Sequence, residues 1–376
     1  MIRLTSWPVV SLIVALLLSI SSKVLVENNV LVENVNCSES HELKVKDDPI
    51  VNDKSTSLDT GPKDDGHPTC DFFEKLGLSG AMNISAVRQQ EICRGLTELY
   101  YARGPSPIII GKETCEEFRM KHNGTMSIMV AGLFNSGTNA MERNLVSNLR
   151  VHGKVGAKLP WWKHNPEFLR TNVSGLAYMP EKHAHIFPIV MVKDPLFWRS
   201  SMCKKPYDLR WKERGNSGPH QEVPCPPVSR LENNTYQASP VTFHAKHLGR
   251  KEIVVRRASS FYDIWNVFNR AYLQEAPFPR LIVRFEDMLF QLDSVMDEIK
   301  DCLGGWYQHE DGIHQFQENA KNHLKGHEIG LMGAILKYSN DTLRLQNVPL
   351  DEISYATESL DHKLMNLFGY KTPLQS

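Results

Sequence analysis

The sequence predicts an α/β fold built on a central parallel sheet, and three stretches carry that prediction. Residues 128–134 and 186–192 are apolar runs rich in branched side chains, and residues 281–285 are a short strand-like run broken only by Arg284. Runs of this kind suit strands buried on both faces, as in a parallel sheet, better than one-sided antiparallel strands. Each run gives way within a few residues to helical spacing, the alternation that defines the α/β class.

The stretch around which the chain is organised is residues 127–149. Its strand passes into Asn135-Ser136-Gly137-Thr138-Asn139, a turn of small and polar residues. Met141, Leu145 and Leu149 then share one face of a predicted helix. A strand, a small-residue loop and a helix aim backbone N–H groups and a helix N-terminus at a phosphate. Counted from Gly132, the frame reads G-x-x-x-x-G-T-N, Walker-like in spacing but without the Walker lysine; the dinucleotide fingerprint is absent as well.

Composition narrows the classes. The 376 residues carry 43 basic and 43 acidic side chains, so the chain lacks the basic excess of a general nucleic-acid binder. No internal repeat is visible. Residues 1–23 hold one arginine, an apolar stretch from Pro8 to Ile20 and a serine-lysine end. That stretch is shorter than the roughly 20 residues of a full span, and it reads as a signal peptide or a short signal anchor. Residues 24–69 are polar and charged with few aromatics, too poor in apolar surface to offset their chain entropy, and read as a flexible stem. The folded domain is expected over residues 70–376.

Sequons at Asn36, Asn83, Asn123, Asn172, Asn233 and Asn340 agree with a secretory route. The seven cysteines show no CxxC metal spacing, so disulfides are expected. The expected pairs are Cys203 with Cys225 across a proline-rich loop, and two of Cys70, Cys93 and Cys115, with Cys37 left over.

Beyond the first helix, Lys158 to Pro166 reads KLPWWKHNP, two tryptophans beside a lysine and a histidine. A packed aromatic turn is one reading. The other sets a cation and an imidazole near the phosphate loop, where general-base chemistry needs them. Strand 186–192 ends at Lys193-Asp194-Pro195. Pro195 suits the first turn of a helix, which puts Lys193 at the carboxyl end of the strand and Ser201 two turns further on. In open α/β sheets that edge is where ligands bind.

Residues 206–240 read as a loop-rich excursion outside the core. Residues 259–276 form an amphipathic helix with a serine cap, its Phe261, Ile264, Trp265, Phe268 and Tyr272 stripe facing the core. After strand 281–285, Glu286 and Asp287 open another helix with acids in its first turn. Residues 308–333 are rich in His, Lys and Asn, a composition suited to covering a polar ligand.

Three of these segments, in this order, resemble the sulfotransferases that use 3′-phosphoadenosine-5′-phosphosulfate (PAPS). FNSGTNAM is similar to the family's 5′-phosphosulfate loop. Lys193-x-Pro195 with Ser201 eight residues after the lysine is similar to its 3′-phosphate motif. VRFEDM, residues 283–288, looks like its RYEDL strand-to-helix segment. The resemblance spans about 127–303 and implies a P-loop NTPase-like three-layer sandwich. Two positions depart from the pattern: Asn135 stands where the family has a basic residue, and Lys193 where it has arginine.

The implied reaction is in-line sulfuryl transfer from PAPS to a hydroxyl or amine acceptor, a glycan or other luminal molecule, with no metal and no nucleic acid. Asn135, Ser136, Gly137, Thr138, Asn139, Lys193 and Ser201 are the implied PAPS contacts. His164 is the implied base, with Glu167 and His185 in reserve, and Lys163, backed by Lys158, is the cation replacing the one missing at Asn135. The short N-terminal segment then reads as an anchor of a single-pass type II Golgi membrane protein with a luminal catalytic domain. A catalytically silent luminal nucleotide binder of the same fold, or a P-loop kinase, are the rival classes.

Overall fold

The computed structural model describes residues 86–101, 104, 106–156, 158–173, 175–245, 253–310, 312–314 and 330–375. The expected anchor, the stem, Cys37, Cys70, the sequons at Asn36 and Asn83 and most of the His/Lys-rich stretch near 315–329 lie outside these residues. Among the described residues no helix is long and apolar enough to cross a membrane.

The central sheet has five strands: β1 (Ile109–Ile110), β2 (Met126–Gly132), β3 (Gly153–Val155), β4 (Ile186–Val192) and β5 (Leu281–Arg284). Their order is β1-β5-β4-β2-β3. The three predicted strands are adjacent and parallel, with Gly132 opposite Met191 and Val192 opposite Arg284. β3 is also parallel, but β1 pairs antiparallel with β5. The sheet is therefore mixed and mostly parallel, which corrects the all-parallel expectation at one edge. A two-residue edge strand supplies too little pattern to be read from sequence.

β2, β4 and β5 are buried along their whole length, as their largely apolar sequences require, with Ser127 and Arg284 buried among them. Helices flank them: α1 (Thr138–Asn148) follows β2, α2 (Pro195–Lys204) follows β4, and α3 (Phe261–Arg270) precedes β5. Met141, Leu145 and Leu149 are buried, and so is the whole Phe261 to Tyr272 stripe. Asp194 caps α2 by accepting from the Leu196 and Phe197 amides, with Pro195 in the first turn. Ser260 caps α3.

Behind β5, residues Phe285–Phe290 form α4 directly. The helix Gly330–Tyr338 (α5) comes later in the chain. The excursion after α2 is less loose than its composition suggests. Leu209–Arg210, Val241–Ala245 and Ile253–Ala258 form a three-stranded antiparallel sheet, while Trp211, Arg214 and Val223 are buried.

The cysteine pairing is half as expected. Cys203 is bonded to Cys225. Cys115 is bonded to Cys302, a partner 187 residues away, rather than to Cys70 or Cys93. The bond joins helix Cys115–His122 to helix Leu292–Leu303, whose proximity only the tertiary structure creates. Opening it by the double change C115A/C302A should lower stability by roughly 2–5 kcal/mol in denaturant melts. A melt unchanged from the parent would mean that packing alone holds the two helices together.

Candidate functional site

The level ends of β2, β4 and β5 bring two loops and the start of α4 to one edge of the sheet. The loop after β2 leaves Gly132, turns through Asn135 and Gly137, both at positive φ, and enters α1 at Thr138. Gly137 is required on two counts: its φ is 85°, and an added Cβ would stand 2.5 Å from the Phe285 ring. Phe285, the first residue of α4, is thus the floor beneath this loop. The first-turn amides of α1 have no intrahelical acceptor and face the loop end.

The Asn135 side chain turns away from that turn. Its Nδ2 donates to the Ser201 carbonyl at 3.1 Å and the Lys205 carbonyl at 3.0 Å, closing the C-terminal end of α2. In the left-handed region, which asparagine tolerates better than most residues, it clasps the two loops together. Two tryptophans hold the loops from behind. Trp198 Nε1 donates to the Phe134 carbonyl at 2.7 Å, and Trp265 Nε1 donates to the Lys193 carbonyl at 2.9 Å.

Lys193 is buried, 1% exposed. Its Nζ donates to the Tyr338 hydroxyl at 2.7 Å, to the Asn135 carbonyl at 3.2 Å and to Ser201 Oγ at 3.4 Å. It also lies 4.4 Å from the centre of the Phe285 ring and 4.6 Å from that of Tyr338. Aromatic faces and hydroxyl oxygens favour a cation at this depth. The two elements of the predicted 3′-phosphate motif, Lys193 and Ser201, therefore meet, and they meet beside the Asn135 loop.

Lys163 and His164 lie on the other side of β2. The Gly132 amide donates to the Lys163 carbonyl at 3.0 Å, so this segment runs along the end of the strand. Lys163 Nζ donates to Asn139 Oδ1 at 2.7 Å in the first turn of α1 and lies 3.5 Å from Glu142. His164 is 8% exposed, with Nδ1 2.6 Å from the Gly132 carbonyl oxygen and its ring 4.2 Å from Phe134. A carbonyl only accepts, so Nδ1 carries the proton and Nε2 is the basic nitrogen of the neutral ring.

The reserve residues fare differently. The Glu167 carboxylate is paired with Arg256 and lies 3.8 Å from Arg170. His185 precedes the first residue of β4, at the opposite end of a seven-residue strand, about 20 Å from the loops, and so is not near this site. Lys158 is exposed.

Beneath Lys193 lies a buried polar platform. Asp194 pairs with Arg344 at 2.8 Å, and Glu286 accepts from the Asp194 amide at 3.1 Å and from the Tyr370 hydroxyl at 2.8 Å. Arg284 grips Asp287 through two nitrogens, both at 2.6 Å. Burial, and then the Asp194 carboxylate, push the Glu286 carboxyl up to about 7.

Sequence reasoning missed Phe285, Tyr338, Trp198, Trp265 and Arg344 as parts of this edge. Phe285 lay inside a motif already singled out. Trp265 was read as core, which it is, while also holding Lys193. Tyr338 and Arg344 lie 145 and 150 residues from their partners and leave no local signal. No protein-family model matches the chain, and no curated protein or solved structure matches it either.

Asn135→Ala removes the side-chain donor shared by the Ser201 and Lys205 carbonyls and should cost about 1 kcal/mol, the usual net worth of such hydrogen bonds. It should also raise amide hydrogen exchange at the C-terminal turn of α2; unaltered exchange there would remove the clasp. A pH series tests the platform. Glu286 has a folded pKa above the ordinary 4.5, so between about 4.5 and 7 the folded chain holds a proton that the unfolded chain releases. Its contribution to stability is therefore lost as pH rises through that window. Glu286→Gln, which cannot titrate, should flatten the melting temperature across it.

Proposed function

We propose that the chain is a PAPS-dependent sulfotransferase on a P-loop NTPase-like three-layer sandwich, transferring a sulfuryl group to a hydroxyl or amine, with a glycan as acceptor. The observation that carries this reading is the meeting of Lys193 and Ser201 beside the Asn135–Asn139 turn. A buried ammonium paired with a serine hydroxyl, one loop away from a helix N-terminus, provides two anion-binding positions on one sheet edge. PAPS carries anionic groups at both of its ends, whereas ATP has no 3′-phosphate. The Tyr338 hydroxyl, 2.7 Å from Lys193 Nζ, occupies the kind of position a phosphate oxygen takes in this reading.

PAPS supplies the activated sulfuryl group. The α1 first-turn amides of Gly137 to Asn139 and the Thr138 hydroxyl stabilise negative charge that develops at the phosphosulfate end. Lys163, tethered at Asn139, supplies the cation that Asn135 lacks. Lys193 and Ser201 hold the 3′-phosphate, and His164 Nε2 takes the acceptor proton while Nδ1–H stays on the Gly132 carbonyl. The two disulfides fit maturation in an oxidising lumen. With the apolar segment 8–20 and the polar stretch 24–69, this supports a single-pass type II Golgi membrane protein. A second reading, a silent nucleotide binder of the same fold, is favoured by one observation: the Asn135 side chain is turned to the end of α2 and away from the loop.

Capture on immobilised PAPS followed by labelled-sulfate transfer to a panel of glycans separates the readings. Binding with transfer supports the enzyme, binding alone the silent protein, and no binding removes both. Lys193→Ala should weaken PAPS and 3′,5′-adenosine bisphosphate by roughly ten- to hundredfold, the worth of a charge-assisted hydrogen bond, and leave ATP almost unchanged. Equal losses for all three nucleotides would make Lys193 a structural residue.

His164→Ala should lower turnover by about a hundredfold or more with little change in PAPS affinity. Lys163→Ala should lower both turnover and affinity. Full turnover in His164→Ala with a reduced melting temperature would reassign the imidazole to packing against Phe134.

A further inference from the structure

The structure separates the sequons that share the same tripeptide pattern. Asn233 sits at the tip of the hairpin formed by Val228–Arg230 and Tyr236–Ala238. Residues 231–235 are all exposed. Asn233 Oδ1 accepts from the Thr235 amide at 3.2 Å and the Thr235 hydroxyl at 2.6 Å. These bonds engage the carbonyl side of the carboxamide, and its Nδ2 donates to nothing among the described residues. Two positions away stands Leu231, 42% exposed.

Asn123 is exposed like Asn233, but its Thr125 hydroxyl donates to the His122 carbonyl at 3.2 Å rather than to the asparagine side chain. It follows helix Cys115–His122 in an exposed turn closed by the Thr125 amide on the His122 carbonyl at 3.0 Å. Its neighbour on the preceding helix turn is Met120, 72% exposed. Asn340 contrasts with both. It is half-buried, its Oδ1 caps the helix Asp341–Leu345 by accepting from the Leu343 amide, and it follows the buried Tyr338–Ser339 pair.

We infer that Asn233 and Asn123 are N-glycan acceptors and that their glycans cover Leu231 and Met120. An exposed turn presents the carboxamide nitrogen without unfolding. A bulky, solubilising oligosaccharide at either asparagine stands next to one large apolar side chain exposed to water, Leu231 or Met120. In the step itself, Nδ2 forms a bond to the anomeric carbon of a lipid-linked oligosaccharide diphosphate. The bond from that carbon to the diphosphate oxygen breaks, the lipid diphosphate leaves with the electron pair, and the amide proton passes to a base of the transferase. The inference requires only passage through the secretory lumen and stands apart from the sulfotransferase reading.

The test expresses the full 376-residue chain in cultured animal cells and removes N-glycans with an amidase in heavy-oxygen water, which marks each formerly occupied asparagine. Peptides containing Asn233 and Asn123 should carry the label. N233Q and T235A should each remove one gel-mobility step, and T235S should keep it. N233Q should also raise binding of an apolar dye, an effect that L231S in the same chain reverses. Recovery of either peptide wholly unlabelled from chain that has entered the lumen overturns the inference, as does a T235A chain of unchanged mobility. Because none of these variants touches Lys193, His164 or the phosphate-loop residues, nucleotide binding by the glycan-free chain is read separately.

Discussion

Three buried parallel strands end level with one another at Gly132, Val192 and Arg284, and the polar groups left at that edge have to be satisfied there. Strand ends and loop carbonyls inside a protein cannot turn to water, so each needs a partner from the protein. The partners come from every flanking element. Trp198 and Trp265 take the Phe134 and Lys193 carbonyls, Asn135 takes the end of α2, and His164 takes the Gly132 carbonyl. Precise placement of the loops follows from this requirement as much as from the apolar packing around them.

The same requirement explains the charges. Asp194 with Arg344 and Asp287 with Arg284 are almost wholly buried ion pairs, since a buried charge is tolerated only when it is paired and hydrogen-bonded. The equally buried Lys193 and Glu286 are held by hydrogen bonds. Asp194 serves three roles at once: it caps α2, pairs with Arg344, and through its amide holds Glu286. Truncating one member of such a network exposes the rest to the full desolvation penalty. The platform is thus a rigid base under Lys193, and rigidity is what a site needs to place an anion within a fraction of an ångström.

His164 illustrates how packing and chemistry coincide. Its ring lies against Phe134 and next to Trp162, as a packing residue would. The hydrogen bond that anchors it also fixes which nitrogen is basic, as a base requires. Lys163 likewise has both a structural tether at Asn139 and a position beside the amides of α1. Three non-glycine residues at positive φ, Asn135, Trp162 and Tyr207, surround Phe134 in this same region. Strained backbone of this kind persists where the surrounding structure over-determines it, and it gathers at functional sites.

The sequence by itself determined the three central strands, the helices behind them, the helix start at Pro195, and the eight-residue spacing that lets Lys193 and Ser201 meet. All of these depend on apolar period, turn chemistry and helical pitch, which act over a few residues. It also marked Cys203 with Cys225, which close a short loop. The tertiary structure alone decided the antiparallel edge strand, the Cys115–Cys302 bond, the engagement of Asn135 with α2, and the arrival of Tyr338 and Arg344 beneath the site. These join residues far apart in the chain through geometry that no local pattern encodes. His185 shows the converse: its side chain was as suitable as that of His164, and only the direction of β4 sent it to the wrong end of the sheet.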